Sequence, residues 1–225
     1  MKILDCEQGS DKWLLARLGH ATASNMGCIV TPTGKPCKSA ARTRYMNELV
    51  GERITGLTTE HYASDAMKRG TALEPHARNW YTLQTGNEVA EVGFAYADSG
   101  RWGGSPDGLI DTDGGLEIKC PTLPNMIAHL YAGGVPAHWM VQIQACMWIC
   151  ERQWWDFCLF TDARNVPNLI ERVDRDEAII STLAEEVPAF CDELDAYEAE
   201  LRARYDIPMR EAADIEQASK GWCPI

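Results

Sequence analysis

The most tightly constrained stretch of the chain lies between Ser105 and Pro121. Leu109-Ile110 is a short apolar pair, Asp111-Thr112-Asp113-Gly114-Gly115 follows, and Leu116-Glu117-Ile118-Lys119-Cys120 then alternates apolar and polar residues. Asp and Gly tolerate the backbone angles of tight reversals, so this run predicts a turn between two antiparallel strands. Side chains alternate faces along a strand. Glu117 and Lys119 therefore share one face, and Ile118 points the opposite way, towards a core. Asp107 stands just before the first arm. A bent hairpin with this register brings two carboxylates and one ammonium group to the edge of a sheet.

That grouping has a definite chemistry. Hard divalent cations prefer oxygen ligands, and magnesium commonly binds through one or two carboxylates while keeping waters and substrate phosphates. Asp107 and Glu117 supply the carboxylates, and the backbone carbonyl of Ile118 is a candidate third oxygen. A cation held there would polarise a phosphate oxygen and lower the pKa of a bound water. Lys119 would orient or activate that water and stabilise developing charge. A Glu-x-Lys pair by itself is an ordinary surface ion pair. The preceding Pro106-Asp107-Gly108 and the turn set this one apart.

The rest of the chain supplies elements of both kinds. Leu14 to Gly19 reads as a helix closed by Gly19, and Thr22 or Ser24 is placed to cap the next one. Thr31 to Lys38 is rich in Pro, Gly and Lys and reads as a loop. Ser39 to Gly51 and Asp65 to Gln84 follow helical patterns, with Gly86 just beyond the second. Glu88 to Tyr96 alternates like a strand, and Arg101 to Ser105 leads towards the next. Pro136 to Cys150 reads as a helix on the spacing of Met140, Ile143, Met147 and Cys150, and Gln153 to Thr161 as a buried strand. Asp174 to Glu216 is helical and acidic, with Ile179, Ile180, Leu183, Val187, Phe190, Leu194, Tyr197 and Leu201 forming an apolar stripe. The opposite, charged face is expected to be solvated. The order predicts an α/β domain with a mixed central sheet flanked by helices.

A length of 225 residues suits one domain. Its parts would be a helical N-terminal region over about 1–85, a sheet and helix over 86–165 and an acidic helical region over 174–216. No apolar run approaches the roughly 18–20 residues of a membrane span, and the N-terminus makes a poor signal peptide, so a cytoplasmic protein is expected. The nine cysteines include no Cys-x-x-Cys pair, so they are read as free thiols rather than a zinc site. Only Cys191 and Cys223 lie near the C-terminus, which argues against an iron–sulphur cluster. Net charge is −12, unsuited to coating nucleic acid. Its distribution is uneven: residues 1–80 carry 11 basic and 8 acidic side chains, residues 81–225 carry 10 and 25. A surface that tracks phosphates is thus expected in the first third.

Four stretches in order resemble one family. Arg17-Leu18-Gly19 with Thr22-Ala23-Ser24, Gly70 with Glu74, Ser105 to Leu109 with Leu116 to Pro121, and Gln142-Ile143-Gln144 with Met147-Trp148 span the motifs. Together they resemble the PD-(D/E)xK nuclease superfamily, and more closely the phage lambda exonuclease group, also called the YqaJ-like viral recombinases. The resemblance implies a restriction-endonuclease-like fold and roles for individual residues. Asp107, Glu117 and the Ile118 carbonyl would hold Mg2+, with Mn2+ able to substitute. Lys119 would serve the attacking water, and Glu74 would complete the site as a ligand to a second metal or to water. Gln142, rather than Gln144, would support Lys119 or the water. Arg17 and Ser24 would bind the 5′-phosphate of a DNA end, with Lys35 and Lys38 of the loop as further DNA contacts. The implied activity is 5′-to-3′ degradation of one strand of linear double-stranded DNA to mononucleotides, leaving a 3′ single strand. The implied assembly is a ring-shaped homotrimer working with a single-strand annealing protein, in a bacterial cell and encoded by a phage or prophage.

Overall fold

In the computed structural model, which describes residues 1–58 and 65–209, fourteen elements and a short 3-10 helix succeed one another. They are β1 (Lys2–Leu4), α1 (Asp11–Arg17), β2 (Ala21–Thr22), the 3-10 helix Ala23–Cys28, α2 (Ala40–Thr55), α3 (Asp65–Thr85), β3 (Phe94–Tyr96), β4 (Trp102–Gly104), β5 (Gly108–Ile110), β6 (Gly114–Lys119), α4 (Leu123–Ala132), α5 (Ala137–Cys150), β7 (Trp154–Leu159), β8 (Leu169–Asp174) and α6 (Glu177–Tyr205). The strands form two mixed sheets, in the orders β1-β3-β4-β2 and β5-β6-β7-β8. The chain passes from one to the other through Ser105-Pro106-Asp107, where proline has no N–H to continue a ladder.

In the second sheet β6 pairs antiparallel with β5 and parallel with β7, and β7 pairs antiparallel with β8. A parallel neighbour requires a crossover, and α4 with α5 provides it. The two faces then bury different partners. Ile110, Leu116, Ile118 and Cys158 pack with Ala77 and Tyr81 of α3. Trp155, Phe157, Leu159 and Val173 pack on the other side in the cluster that contains Val141 and Ile143 of α5 and Leu183, Val187 and Phe190 of α6. Each such side chain, fully buried, contributes roughly 1.5–3 kcal/mol of apolar transfer. This sandwich places Glu117 and Lys119 under α5, with α3 on the opposite face.

Several local expectations change. The reversal after β5 has its left-handed residue at Asp111 (φ 45°), while Gly114 and Gly115 lie inside β6. Their glycine identity answers to packing: a Cβ on either would stand 2.2 Å from the ring of Trp154 or Trp155. Neither Thr22 nor Ser24 makes a side-chain cap bond. The element there is a 3-10 helix, and the Thr22 hydroxyl instead accepts from Asn25 Nδ2 at 3.3 Å. Of the stretch from Glu88 to Tyr96, only Phe94–Tyr96 is a strand; Ala90 makes an isolated bridge to Leu109. The strands β1, β2 and β8 and the helix α4 are additions. α4 carries Pro124 in its first turn, where the missing N–H has no intrahelical partner to lose.

The C-terminal helix begins at Glu177 behind the cap Asp176 and ends at Tyr205; Asp174 belongs to β8. Its apolar stripe is buried as expected from Ile179 to Leu194. Its acidic face is not simply solvated, because Asp192, Glu193, Asp195 and Glu198 pair with Arg42, Arg53 and Arg101. The expected continuation to Glu216, and Cys223, lie outside the described residues. The eight cysteines within them are free. Among the described residues no helix is long and apolar enough to cross a membrane.

Candidate active site

β6 is interior to its sheet, so a side chain pointing from its α5 face is enclosed. Glu117 is 1% exposed there, and Lys119, two residues on and nearer the end of the strand, keeps 27% of its side chain exposed. The Lys119 ammonium lies 2.5 Å from Glu117 Oε1, and Gln142 Nε2 of α5 donates to the same oxygen at 2.6 Å. Asp107 arrives from the linker before β5, and its Oδ2 accepts the Ile118 N–H at 2.6 Å. Arg78 of α3 donates to the Asp107 carbonyl at 3.2 and 3.3 Å and pairs with Glu91 at 3.0 Å. The backbone of Asp107 is therefore held from one face of the sheet while its carboxylate reaches the other residues.

Burial pushes the Asp107 carboxyl up to about 8, and the neighbouring Glu117 carboxylate adds to the rise. For Lys119, burial works against the charge, but Glu117 and Asp107 outweigh it and hold the ammonium above its ordinary value. Glu74, half-buried on α3, is raised by burial, with Arg78 and Lys119 opposing. It shares with Asp107 a cleft of about 580 Å³, lined also by Gln8, Thr71, Arg78 and Glu91.

Whether this group suits a divalent cation turns on one atom. Glu117 Oε2 is buried and has no hydrogen-bond partner. An unpaired buried carboxylate oxygen is costly unless a cation or donor meets it. With Asp107 beside it, the donor set is hard oxygen, and it fits Mg2+ better than a softer metal. Among the described residues no three His, Cys, Asp or Glu side chains converge as a metal cage, so Glu74 does not form a third carboxylate with these two.

Gln142 and Gln144 separate clearly. Gln144 is buried; its Nε2 donates to Asp174 O and its Oε1 accepts from Asp176 N, both at 2.9 Å, which ties α5 to the β8–α6 junction. Gln142 alone faces the site, and its partner is Glu117 rather than Lys119.

A second pocket, of about 320 Å³, lies beside the first sheet and includes Trp13, Arg17, His20, Thr22, Asn25 and Tyr45 in its lining. The Arg17 guanidinium sits 4.3 Å over the Trp13 ring and donates to Ser105 Oγ at 3.2 Å, and Trp13 Nε1 donates to the same oxygen at 2.8 Å. Burial lowers the Arg17 pKa, partly countered by Tyr45 and Glu52, so an incoming anion would meet a desolvated cation. Ser24 is exposed, 3.3 Å from the Thr22 hydroxyl, and does not line this pocket. Lys35 and Lys38 are exposed on a loop anchored to α6 through Thr182 Oγ1 and Gly34 O at 3.0 Å.

Sequence reasoning did not single out Trp13, Arg78 or Trp139, nor give Ser105 a role of its own. Trp139 stands three positions before Gln142, on the same side of α5, and its ring centre is 5.8 Å from Lys119 Nζ. Helical spacing from Gln142 was the available signal for Trp139. The i,i+4 spacing of Trp13 and Arg17 on α1 was the signal for Trp13; for Arg78 and Ser105 nothing local to the sequence marks the contact.

Comparison with known proteins follows this geometry. A family model described as the YqaJ-like viral recombinase domain matches residues 12–153. The crystal structure of an alkaline exonuclease from Laribacter hongkongensis is similar, at 37% identity and a TM-score of 0.79 over 87% of this chain and 97% of that one. The same enzyme in complex with dAMP matches with the same figures. A phage-related exonuclease from Haemophilus somnus 129PT shares the fold, at 15% identity and a TM-score of 0.61 over 81% of this chain and 96% of that one. No curated protein sequence matches.

Proposed function

This chain belongs to the YqaJ-like viral recombinase family, and from that footing we propose that it is a magnesium-dependent 5′-to-3′ exonuclease of linear double-stranded DNA. Its kinship with an alkaline exonuclease makes it a DNA exonuclease; the metal, the polarity and the residue roles are our reading. The observation that carries it is the buried, unpartnered Glu117 Oε2 beside Asp107 and Lys119.

Asp107 and Glu117, with the Ile118 carbonyl, would hold the cation, Mg2+ or in its place Mn2+. When bound, the cation supplies Lewis-acid polarisation of the scissile phosphate and charge neutralisation. Lys119 would orient the attacking water and offset charge on the phosphoryl oxygens. Gln142 keeps Glu117 in its rotamer by donating to Oε1. Glu74 lines, with Asp107, the cleft beside α3 and is assigned to a water there. The polarity rests on Arg17: Ser105 receives the bonds of Arg17 and Trp13 and lies two residues before Asp107, so a 5′-phosphate on Arg17 would register the next phosphodiester against the carboxylates. Ser24, Lys35 and Lys38, all exposed, would contact DNA outside that pocket.

The products would be mononucleotides and a 3′ single strand for a single-strand annealing protein. The chain would act as one nuclease unit within a homotrimeric ring, inside a bacterial cell and from a phage or prophage gene. Linear duplex labelled separately at its 5′ and 3′ ends, with a closed circular control, tests this. Early release of the 5′ label alone, lost in Lys119→Ala and weakened in Arg17→Ala, supports the reading. Cutting of the circle would make the protein an endonuclease of the same superfamily, and absence of metal-dependent cleavage would sink the hydrolytic reading altogether.

A further inference from the structure

Among the described residues the ion pair of Lys119 is with Glu117, the group the cation would claim. Its ammonium is 2.5 Å from Glu117 Oε1, while the buried Glu117 Oε2 has no hydrogen-bond partner. A divalent cation on Glu117 repels the ammonium and drains charge from the oxygen that holds it. A four-carbon side chain with 27% of its surface exposed would then swing towards water, away from the place where it is needed.

The geometry points to Trp139 as the residue that prevents this, a positioning residue acting through Lys119. An aromatic face attracts an ammonium within about 6 Å of its centroid, and it offers no oxygen ligand to a hard divalent cation. The Trp139 centroid is 5.8 Å from Lys119 Nζ. The indole is itself fixed on three sides: Phe157 of β7 at 5.1 Å, His129 of α4 at 5.1 Å and His138 at 4.3 Å between ring centres. On this arrangement α5 serves both members of the ion pair, with Gln142 holding the carboxylate and Trp139, one turn earlier, holding the ammonium. Separate supports let the pair part when the cation enters without either side chain losing its place. The surroundings favour an aromatic rather than a charged tether, since a second carboxylate there would itself compete for the metal.

This inference rests on the hydrolytic reading above, and its test separates the two. Single-turnover hydrolysis of linear duplex by the full chain is compared for wild type, Trp139→Leu and Trp139→Phe, with DNA affinity measured in Ca2+ and folding followed by thermal melting. We expect Trp139→Leu to lower the cleavage rate about tenfold while KM and the DNA affinity stay within about twofold, and Trp139→Phe to recover most of the rate. Phe as slow as Leu, a Leu variant within twofold of wild type, or a loss carried in KM would overturn the assignment. If Leu melts early, Trp139→Phe still decides the matter, because it keeps an aromatic face over Lys119. A wild type with no metal-dependent cleavage would instead bring down the functional reading itself.

Discussion

Gln142 and Gln144 sit on one helix and serve opposite ends of the fold: Gln142 donates to Glu117 Oε1 at 2.6 Å, and Gln144 bridges Asp174 and Asp176 at 2.9 Å each. Two positions along an α-helix turn a side chain by about 200°, so only one of the two can face the sheet surface that carries Glu117. Their replacements should therefore fail in different ways. Gln144→Ala strands a buried backbone carbonyl and N–H and should cost about 1–3 kcal/mol in urea unfolding, with cleavage by the folded fraction little changed. Gln142→Ala should leave stability nearly intact and slow hydrolysis by about tenfold, since it frees a charge partner in the site. Matching losses of stability in the two variants would contradict this division.

Asp107 links the site to pH. Its folded pKa, about 8, lies above the ordinary 3.8, so the native state keeps a proton that the unfolded chain releases. Stability from this group is complete below about pH 4 and is lost as pH climbs towards 8. Glu74, also raised, adds to the slope in the same direction. Divalent metal must displace that proton, so the rise in melting temperature on adding Mg2+ should grow with pH over the same window. Asp107→Asn should flatten the metal-free slope and remove the Mg2+ response. An unchanged slope in that variant would mean that other groups govern it.

Arg17 is expected to read the end of the DNA. A charge-assisted bond from a partly desolvated guanidinium contributes about 1.5–3 kcal/mol, or roughly 10- to 100-fold in rate or affinity. Wild type should thus prefer 5′-phosphorylated over 5′-hydroxyl duplex, and Arg17→Ala should bring the two substrates to the same slow rate. Ser105→Ala, which removes the common acceptor of Arg17 and Trp13, should reduce the preference in part. Persistence of full discrimination in Arg17→Ala would locate phosphate recognition elsewhere.

The glycines of β6 offer a test of packing. Gly115→Ala would place a methyl group 2.2 Å from the buried Trp155 ring, and Gly114→Ala would do the same against Trp154. Each should destabilise by about 1–3 kcal/mol in thermal unfolding, with the larger loss at Gly115 because Trp155 is fully buried. Asp111→Gly, at the left-handed position of the turn, should be neutral or slightly favourable. Tolerance of both alanines would show that the indoles can move aside.

What the sequence determined by itself was the local part of the site. The reversal after Ile110 and the spacing of two between Glu117 and Lys119 set which side chains share a face, because alternation along a strand is a property of the backbone. The burial of the stripe from Ile179 to Leu194 was legible from its helical spacing, as were helix ends such as Ser39 and Gly86, which follow from the capping of free N–H and C=O groups. Tertiary structure decided everything that depended on distant partners. The chain order could not say that α5 crosses the sheet with Gln142 towards the carboxylates and Gln144 buried towards the β8–α6 junction, or that Gly114 and Gly115 exist to clear two indoles. Nor could it say that Arg78, Ser105 and Trp139 would meet Asp107, Arg17 and Lys119 across gaps of 29, 88 and 20 positions. β1, β2, β8 and α4 escaped notice because strands of two and three residues, the Leu169–Asp174 strand without regular apolar alternation and a largely exposed helix carry too little periodicity to declare themselves. Their identity comes from the neighbours that complete their hydrogen bonds and bury one side of each, and a linear sequence does not record those neighbours.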